Sequence, residues 1–351
     1  MRRRASGSLG WRRMPGDVHL VRSLLRRRGV KPALKVMLVL VVLLCAGLAL
    51  RGEIGKLETD GLRFELGWFL AAVLGFAALQ VMHAALWRRS LLRLDLHLEP
   101  KRARAIWCTS ALARYVPTSM LMPTMRIAMS ERYGIPKRRC LASLVYEAAL
   151  ALAGALVVAG YFVVELPELE GHATRWLAVA IPLLAVVALH PKIFGPVSAK
   201  LLRRIGRDPL ERLLPERVLV GLWAAYALSF VLAGLALFAL AEALYPVGVS
   251  ALPQVAGAFA VGFAVSVLAF VLPGGLGARE AGLAAALAPV MPTAIAIAVA
   301  IVVRLVQIAI EILFAATTPV IARRAEARAA GAQAVTDAEP APELVQVSAR
   351  G

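Results

Sequence analysis

The chain has 351 residues, 60% of them hydrophobic, with a mean hydropathy of +0.73. A soluble protein is near half apolar, and several runs here reach the ~20 residues that cross a bilayer core, so the composition excludes a soluble domain and reads as an all-α polytopic integral membrane protein. The formal charge of +18 lies at the ends of apolar runs, which fits membrane topology and excludes nucleic acid as the partner.

Residues 1–32 form a basic tail, with Arg2, Arg3, Arg4, Arg12 and Arg13 among its cations and Asp17 its only acid. Such a segment is expected on the anionic cytoplasmic face. Ala33–Leu50 reads as an uncleaved first helix. The loop 51–63 balances its charges and is placed outside, and Phe64–Trp87 returns to a cytoplasmic end marked by Arg88, Arg89 and Arg93.

Ala105–Met125 has the length of a span but holds Arg114, Tyr115 and Pro117 in its middle, with basic residues on both flanks. Two cytoplasmic flanks do not fit a single crossing, and a re-entrant hairpin turning near Pro117 does. Leu141–Val164 carries Glu147, and Glu165, Glu168 and Glu170 mark the outside. Trp176–Leu189 crosses back. Residues 192–217 read as an amphipathic cytoplasmic connector with Leu201, Leu202, Leu210, Leu213 and Leu214 on the membrane surface. Val218–Ala241 crosses outward to a loop, 242–253, that lacks Lys and Arg.

Gln254–Leu272 and Ala281–Val290 then flank the break Pro273-Gly274-Gly275-Leu276-Gly277-Ala278-Arg279-Glu280. Thr293–Ile321 ends at Arg323 and Arg324, so the run 254–290 begins and ends outside and is drawn as a second re-entrant hairpin. The alternative is that Gln254–Leu272 crosses by itself. The tail 322–351 reads as disordered and cytoplasmic. The reading is therefore about six spanning helices plus two re-entrant hairpins within a transmembrane domain, 33–321. It also suggests an inverted repeat, in which helix 64–87, hairpin 105–125 and helix 141–164 correspond to helix 218–241, hairpin 254–290 and helix 293–321. Broken helices at matching positions of inverted halves point to a midplane substrate site, as in transporters.

Chemistry concentrates at the break. Proline stops a helix, and Gly274, Gly275 and Gly277 expose backbone amides. The helix starting near Ala278 presents its N-terminus to the same space, and Arg279 adds a fork suited to phosphate. Glu280 suits the dipole and can hold a basic partner. The competing reading is a kink closed by a structural salt bridge. Arg304 and Glu311 share a face of the last helix ~10 Å apart and need not pair directly, so Arg304 has Glu280 or Glu147 as alternative partners, and the competing reading is a buried structural ion pair. Glu147 has Arg114 or Arg126 as candidate partners. Arg114 and Tyr115 serve either a site or an interfacial anchor. Trp68, Trp87, Trp107 and Trp176 are expected to anchor at interfaces. Cys45, Cys108 and Cys140 have no metal or disulfide spacing, and the five histidines, including His83 in an apolar run, have no ligand spacing, so no metal or cofactor is expected. Enzyme motifs are also missing, and the chain is expected not to be an enzyme.

At these residues the chain resembles the lysylphosphatidylglycerol synthase transmembrane family, whose flippase-like domain also occurs alone. Pro273–Glu280 is similar to the family's PGGLGxRE signature, and Arg304 to an arginine of its following helix. Arg114-Tyr115-Val116-Pro117 resembles an earlier R/K-Y-x-P-G element, with Thr118 where glycine is usual, and Glu147 a glutamate of the next helix. The resemblance covers roughly 60–320. It implies a bacterial inner-membrane protein, with cytoplasmic termini, that moves or binds lipids with anionic or modified headgroups. The synthase activity of relatives that carry a further soluble domain is not expected of this chain. The function expected is a lipid flippase-like transporter without its own energy source. It would bind phospholipid or polyprenyl-phosphate-type headgroups through Arg279, Glu280, Gly274, Gly275, Gly277, Arg304, Glu147, Arg114, Tyr115 and Glu311. The alternative is a non-transporting lipid-binding partner of a glycosyltransferase or other envelope-synthesis enzyme, and a homo-oligomer is possible.

Overall fold

Apolar runs bounded by charge fold as helices because a helix satisfies its own backbone hydrogen bonds where water is absent. The computed structural model describes residues 61–115, 121–164, 190–204, 214–270 and 277–338, with isolated positions between 176 and 187. The elements are α1 (Leu66–Arg93), α2 (Pro100–Ala111) continued by a 3-10 turn (Leu112–Tyr115), α3 (Leu121–Glu131), α4 (Lys137–Val164), α5 (Pro191–Arg204), α6 (Glu216–Leu244), α7 (Leu252–Phe270), α8 (Ala278–Leu287) and α9 (Thr293–Ala338). The protein is an all-helical, polytopic membrane protein. Five helices among the described residues are long and apolar enough to span: Leu66–Arg93, Lys137–Phe162, Glu216–Leu244, Val249–Val267 and Thr293–Ala327.

Several expectations shift. The predicted spans 33–50 and 176–189 lie outside the described residues, isolated positions apart. The helices run past their apolar cores, because helical hydrogen bonding continues into the charged flanks: α1 includes Arg88, Arg89 and Arg93. Likewise α9 continues to Ala338, so the first part of the tail predicted as disordered from 322 is helical. The limb α7 has 19 residues, or ~28 Å, and is span-length by itself. The limb α8 has 10 residues, or ~15 Å. Leu214 is not on a membrane surface. It is 1% exposed, packs against the core, and its N–H donates to Tyr146 Oη at 3.3 Å.

The helix pairing is reciprocal. Helices α1 and α6 lie side by side and antiparallel: Arg63 N and Glu65 N donate to Leu244 O and Ala243 O at 2.9 and 2.8 Å, while His83, near the other end of α1, meets Ser229. Around this pair, exchanging α1 with α6, α2 with α7, α3 with α8 and α4 with α9 maps each principal contact between described α-helices onto another one, or, for α1 with α6, onto itself. The contact of α2 with α9 becomes that of α7 with α4, and α3 on α4 becomes α8 on α9. That is the packing of an inverted repeat. Small residues allow the close crossings. A Cβ on Gly154 of α4 would lie 2.8 Å from Ala227 N of α6, and one on Gly262 of α7 would lie 3.1 Å from Leu283 Cβ of α8. The second contact holds α7 and α8 together as an antiparallel hairpin. It leads to the segment 271–276, which, with Gly274 and Gly275, lies outside the described residues.

Candidate functional site

The exchange of halves brings two hairpins against two long helices, and each junction carries an ion pair. In the first half, Arg126 of α3 meets Glu147 of α4 through Nη1 to Oε2 at 2.5 Å. In the second, Arg304 of α9 meets Glu280 of α8 through Nε to Oε1 at 3.4 Å. Glu147 lies ~15 Å along α4 from Lys137, and Arg304 ~16 Å along α9 from Thr293. The two pairs therefore occupy equivalent places with their signs exchanged.

Arg126 is fully buried. Its Nε donates to Ser110 Oγ at 2.9 Å, and its guanidinium sits between the rings of Trp87 and Trp107, 5.2 and 5.4 Å from their centroids. Trp107 Nε1 donates to Glu147 Oε1 at 2.8 Å, so both oxygens of that carboxylate are occupied. Trp87 Nε1 donates to Ser143 Oγ at 3.1 Å. These two tryptophans are internal and hydrogen-bonded, which corrects the expectation that they anchor at interfaces. Trp68 and Trp176 are exposed. Arg304 also lies over the Tyr115 ring at 4.9 Å.

A third pair joins the first hairpin to α9. Arg114 Nη1 lies 3.5 Å from Glu311 Oε1, and Arg114 Nε donates to Ala111 O at 3.0 Å. Glu311 is ~10 Å beyond Arg304 on α9 and does not contact it, and α9 runs a further ~18 Å to Arg323. Arg304 and Glu311 thus bracket the middle of the apolar length of α9. Of the alternatives open in the sequence, Arg304 takes Glu280 and Glu147 takes Arg126, while Arg114 takes Glu311, a pairing the sequence reading did not offer.

Between these pairs lies a cavity of about 460 Å³. Arg114, Glu147, Arg279 and Glu311 line it, with Gln80, His83, Trp107, Tyr226, Ser229 and Gln307 as further polar lining and Phe76, Phe230, Phe259 and Phe263 as apolar wall. Arg279 rests on the Phe259 ring, 5.1 Å from its centroid, and no carboxylate among the described residues pairs with it. Its helix α8 starts from Gly277, whose φ of +89° is the left-handed conformation that glycine adopts without strain. Ser229 Oγ donates to Tyr226 O at 2.6 Å, so the proton in the 3.0 Å His83–Ser229 contact comes from His83 Nε2. Glu280, Arg304 and Tyr115 do not line the cavity; they form the junction next to it.

The match to the family model for the lysylphosphatidylglycerol synthase TM region covers residues 33–315. The chain belongs to this family. No curated protein matches the chain. In this lysylphosphatidylglycerol synthase TM family member, the segment matched includes α1 to α8, the first half of α9 and the whole cavity lining. Sequence reasoning missed His83, Gln80, Tyr226, Ser229 and Gln307 as lining residues. Each is a lone polar residue in an apolar run, and only the packing shows that they converge.

Proposed function

We propose that this protein is a lipid flippase-like membrane transporter, without catalytic activity of its own, that holds a phosphate-bearing lipid headgroup in the cavity between its two hairpins. The observation that carries this reading is Arg279. A guanidinium at membrane depth is costly unless it meets a partner, and intramembrane charges mark substrate paths. Among the described residues, Arg114, Arg126 and Arg304 each meet a carboxylate, whereas Arg279 meets an aromatic ring and an open cavity of about 460 Å³. Phosphate matches its planar fork, and the first turn of α8 adds backbone amides and the positive dipole end. The aromatic wall accepts the apolar parts of the lipid nearest the headgroup. The two halves, related by exchange around α1 and α6, supply two ways of opening the cavity, one by each hairpin. In this reading the Arg323 and Arg324 end of α9 faces the cytoplasm of a bacterial cell.

The test is translocation of a headgroup-labelled lipid in proteoliposomes, comparing wild type, Arg279→Ala and empty vesicles. Faster exchange with wild type than with the other two supports transport. Equal rates in all three remove it, and lipid that stays bound without exchanging favours the non-transporting partner of an envelope-synthesis enzyme.

A further inference from the structure

We infer that α5 is a second lipid site, separate from the cavity: a helix at the bilayer surface whose cationic face binds the phosphates of anionic lipids. No described residue of α5 lines the cavity between the hairpins, and what α5 binds is independent of what that cavity holds. The start of α5 is held at the end of a span. His190, which precedes its first residue, has its Nε2 3.5 Å from Glu216 Oε2, and Glu216 opens the spanning helix α6. From there the 14 residues of α5 extend for ~21 Å. The helix takes part in none of the principal packings between described helices. It therefore stands at the bilayer edge with its surface open.

Its charge has one sign. From Gly171 to Arg207 the chain has no Asp or Glu. Lys192, Lys200, Arg203 and Arg204 are all exposed, and no carboxylate among the described residues pairs with them. Cations at the ends of other helices are paired: Arg102 meets Glu326 at 2.7 Å and Lys137 meets Glu131 at 3.2 Å. The register also counts. Helical positions three and four apart are neighbours, and Pro196, Ala199, Lys200, Arg203 and Arg204 line an open cavity of about 550 Å³. The positive-inside rule asks only for cations near the end of a span. It does not ask for three of them around one concavity with no carboxylate beside them. Ile193, 42% exposed at the start of the helix, adds an apolar contact for the bilayer.

Phosphate is the anion that fits. Arginine forks take it through two parallel hydrogen bonds, and lysine adds a compact charge. The source is the surrounding bilayer, because headgroup phosphates stand where a span ends. The basic flanks assign this end of α6 to the cytoplasmic leaflet, which is the anionic one. Each cation near such a surface strengthens attachment about fivefold, so Lys200, Arg203 and Arg204 together give about a hundredfold. The consequence is mechanical. In sequence α5 lies between α4, the last helix of the first half, and α6, the first of the second. Anionic lipid therefore holds the connection between the two halves against the membrane, and a neutral leaflet releases it.

The experiment is amide hydrogen exchange of the full-length protein in nanodiscs, read by mass spectrometry on peptides from α5. The discs contain phosphatidylcholine alone or with phosphatidylserine. Exchange in α5 is expected to slow by up to about a hundredfold in the anionic discs. Raising the salt from ~0.1 to ~1 M shortens the screening length from ~10 to ~3 Å and is expected to abolish most of the slowing. The triple variant Lys200→Gln, Arg203→Gln, Arg204→Gln is expected to lose it. The charge-keeping variant Lys200→Arg, Arg203→Lys, Arg204→Lys is expected to retain most of it, which separates lost charge from lost folding. Arg279→Ala is expected to keep it in full, because that residue belongs to the other site. Equal exchange in the two discs, slowing that survives the triple glutamine variant, or slowing lost in Arg279→Ala overturns the inference. So does equal protection by soluble heparin in phosphatidylcholine discs, which would make the face a site for a polyanionic macromolecule. None of these outcomes bears on the cavity, whose test is translocation.

Discussion

Replacing Arg126 with methionine tests whether the first-half junction is a buried, fully engaged ion pair. The side chain of Arg126 is 1% exposed and that of Glu147 17%, and the two meet at 2.5 Å. Methionine keeps much of the packing between Trp87 and Trp107 but leaves a carboxylate with one indole N–H as its partner. Breaking a buried pair from one side costs ~3–5 kcal/mol. At about 2 °C per kcal/mol, the lower figure for large domains, the unfolding midpoint in detergent is expected to fall by ~6–10 °C. Adding Glu147→Gln removes the stranded charge while preserving an acceptor for Trp107, and the double variant is expected to recover at least ~2 kcal/mol of the loss. The measurement is a thermal scan of purified protein, followed by near-ultraviolet circular dichroism. A single variant within ~1 °C of wild type, well below the shift expected for a broken buried pair, refutes the reasoning. So does a double variant no more stable than the single one.

The second junction is expected to tolerate exchange but not reversal. Glu280→Arg or Arg304→Glu alone sets like charges about 3.4 Å apart and lowers the midpoint, and the combined exchange restores most of it; failure of the exchange to rescue would show that the pair is not a direct one. At the crossing of α4 and α6, where a Cβ on Gly154 would already stand 2.8 Å from Ala227 N, Gly154→Val is expected to cost ~1–3 kcal/mol in the same assay. A neutral result there would mean that the two backbones are not in close contact.

How much of this was readable beforehand depended on the kind of signal. Helix-breaking residues among apolar runs are local, so the breaks between α2 and α3 and between α7 and α8 were readable, although the turns predicted at Pro117 and at 273–276 lie outside the described residues. Pairing is not local. The sequence offered Arg114 or Arg126 to Glu147, and only the packing of α3 on α4 selects Arg126, releasing Arg114 to Glu311 on α9. The tryptophans failed for a related reason. In a helix apolar on all sides, the lipid-facing and protein-facing positions look alike, so Trp68, which is exposed, and Trp87, which is fully buried, carry the same sequence signal. Leu214 was misplaced because a leucine beside basic residues fits a membrane surface as well as a core. The inverted repeat was readable only as an order of elements, since the two halves carry their junction charges with opposite sign.

The central claim is that Arg279 receives a lipid phosphate during transfer between leaflets. It is tested most directly by exchange of a fluorescent phosphatidylglycerol across proteoliposome bilayers, read by dithionite quenching. Wild type is expected to expose the inner-leaflet lipid well above the rate of empty vesicles, and Arg279→Ala, folded to the same midpoint, is expected to fall back to that rate. Wild type indistinguishable from empty vesicles, or an Arg279→Ala variant as fast as wild type, contradicts the account.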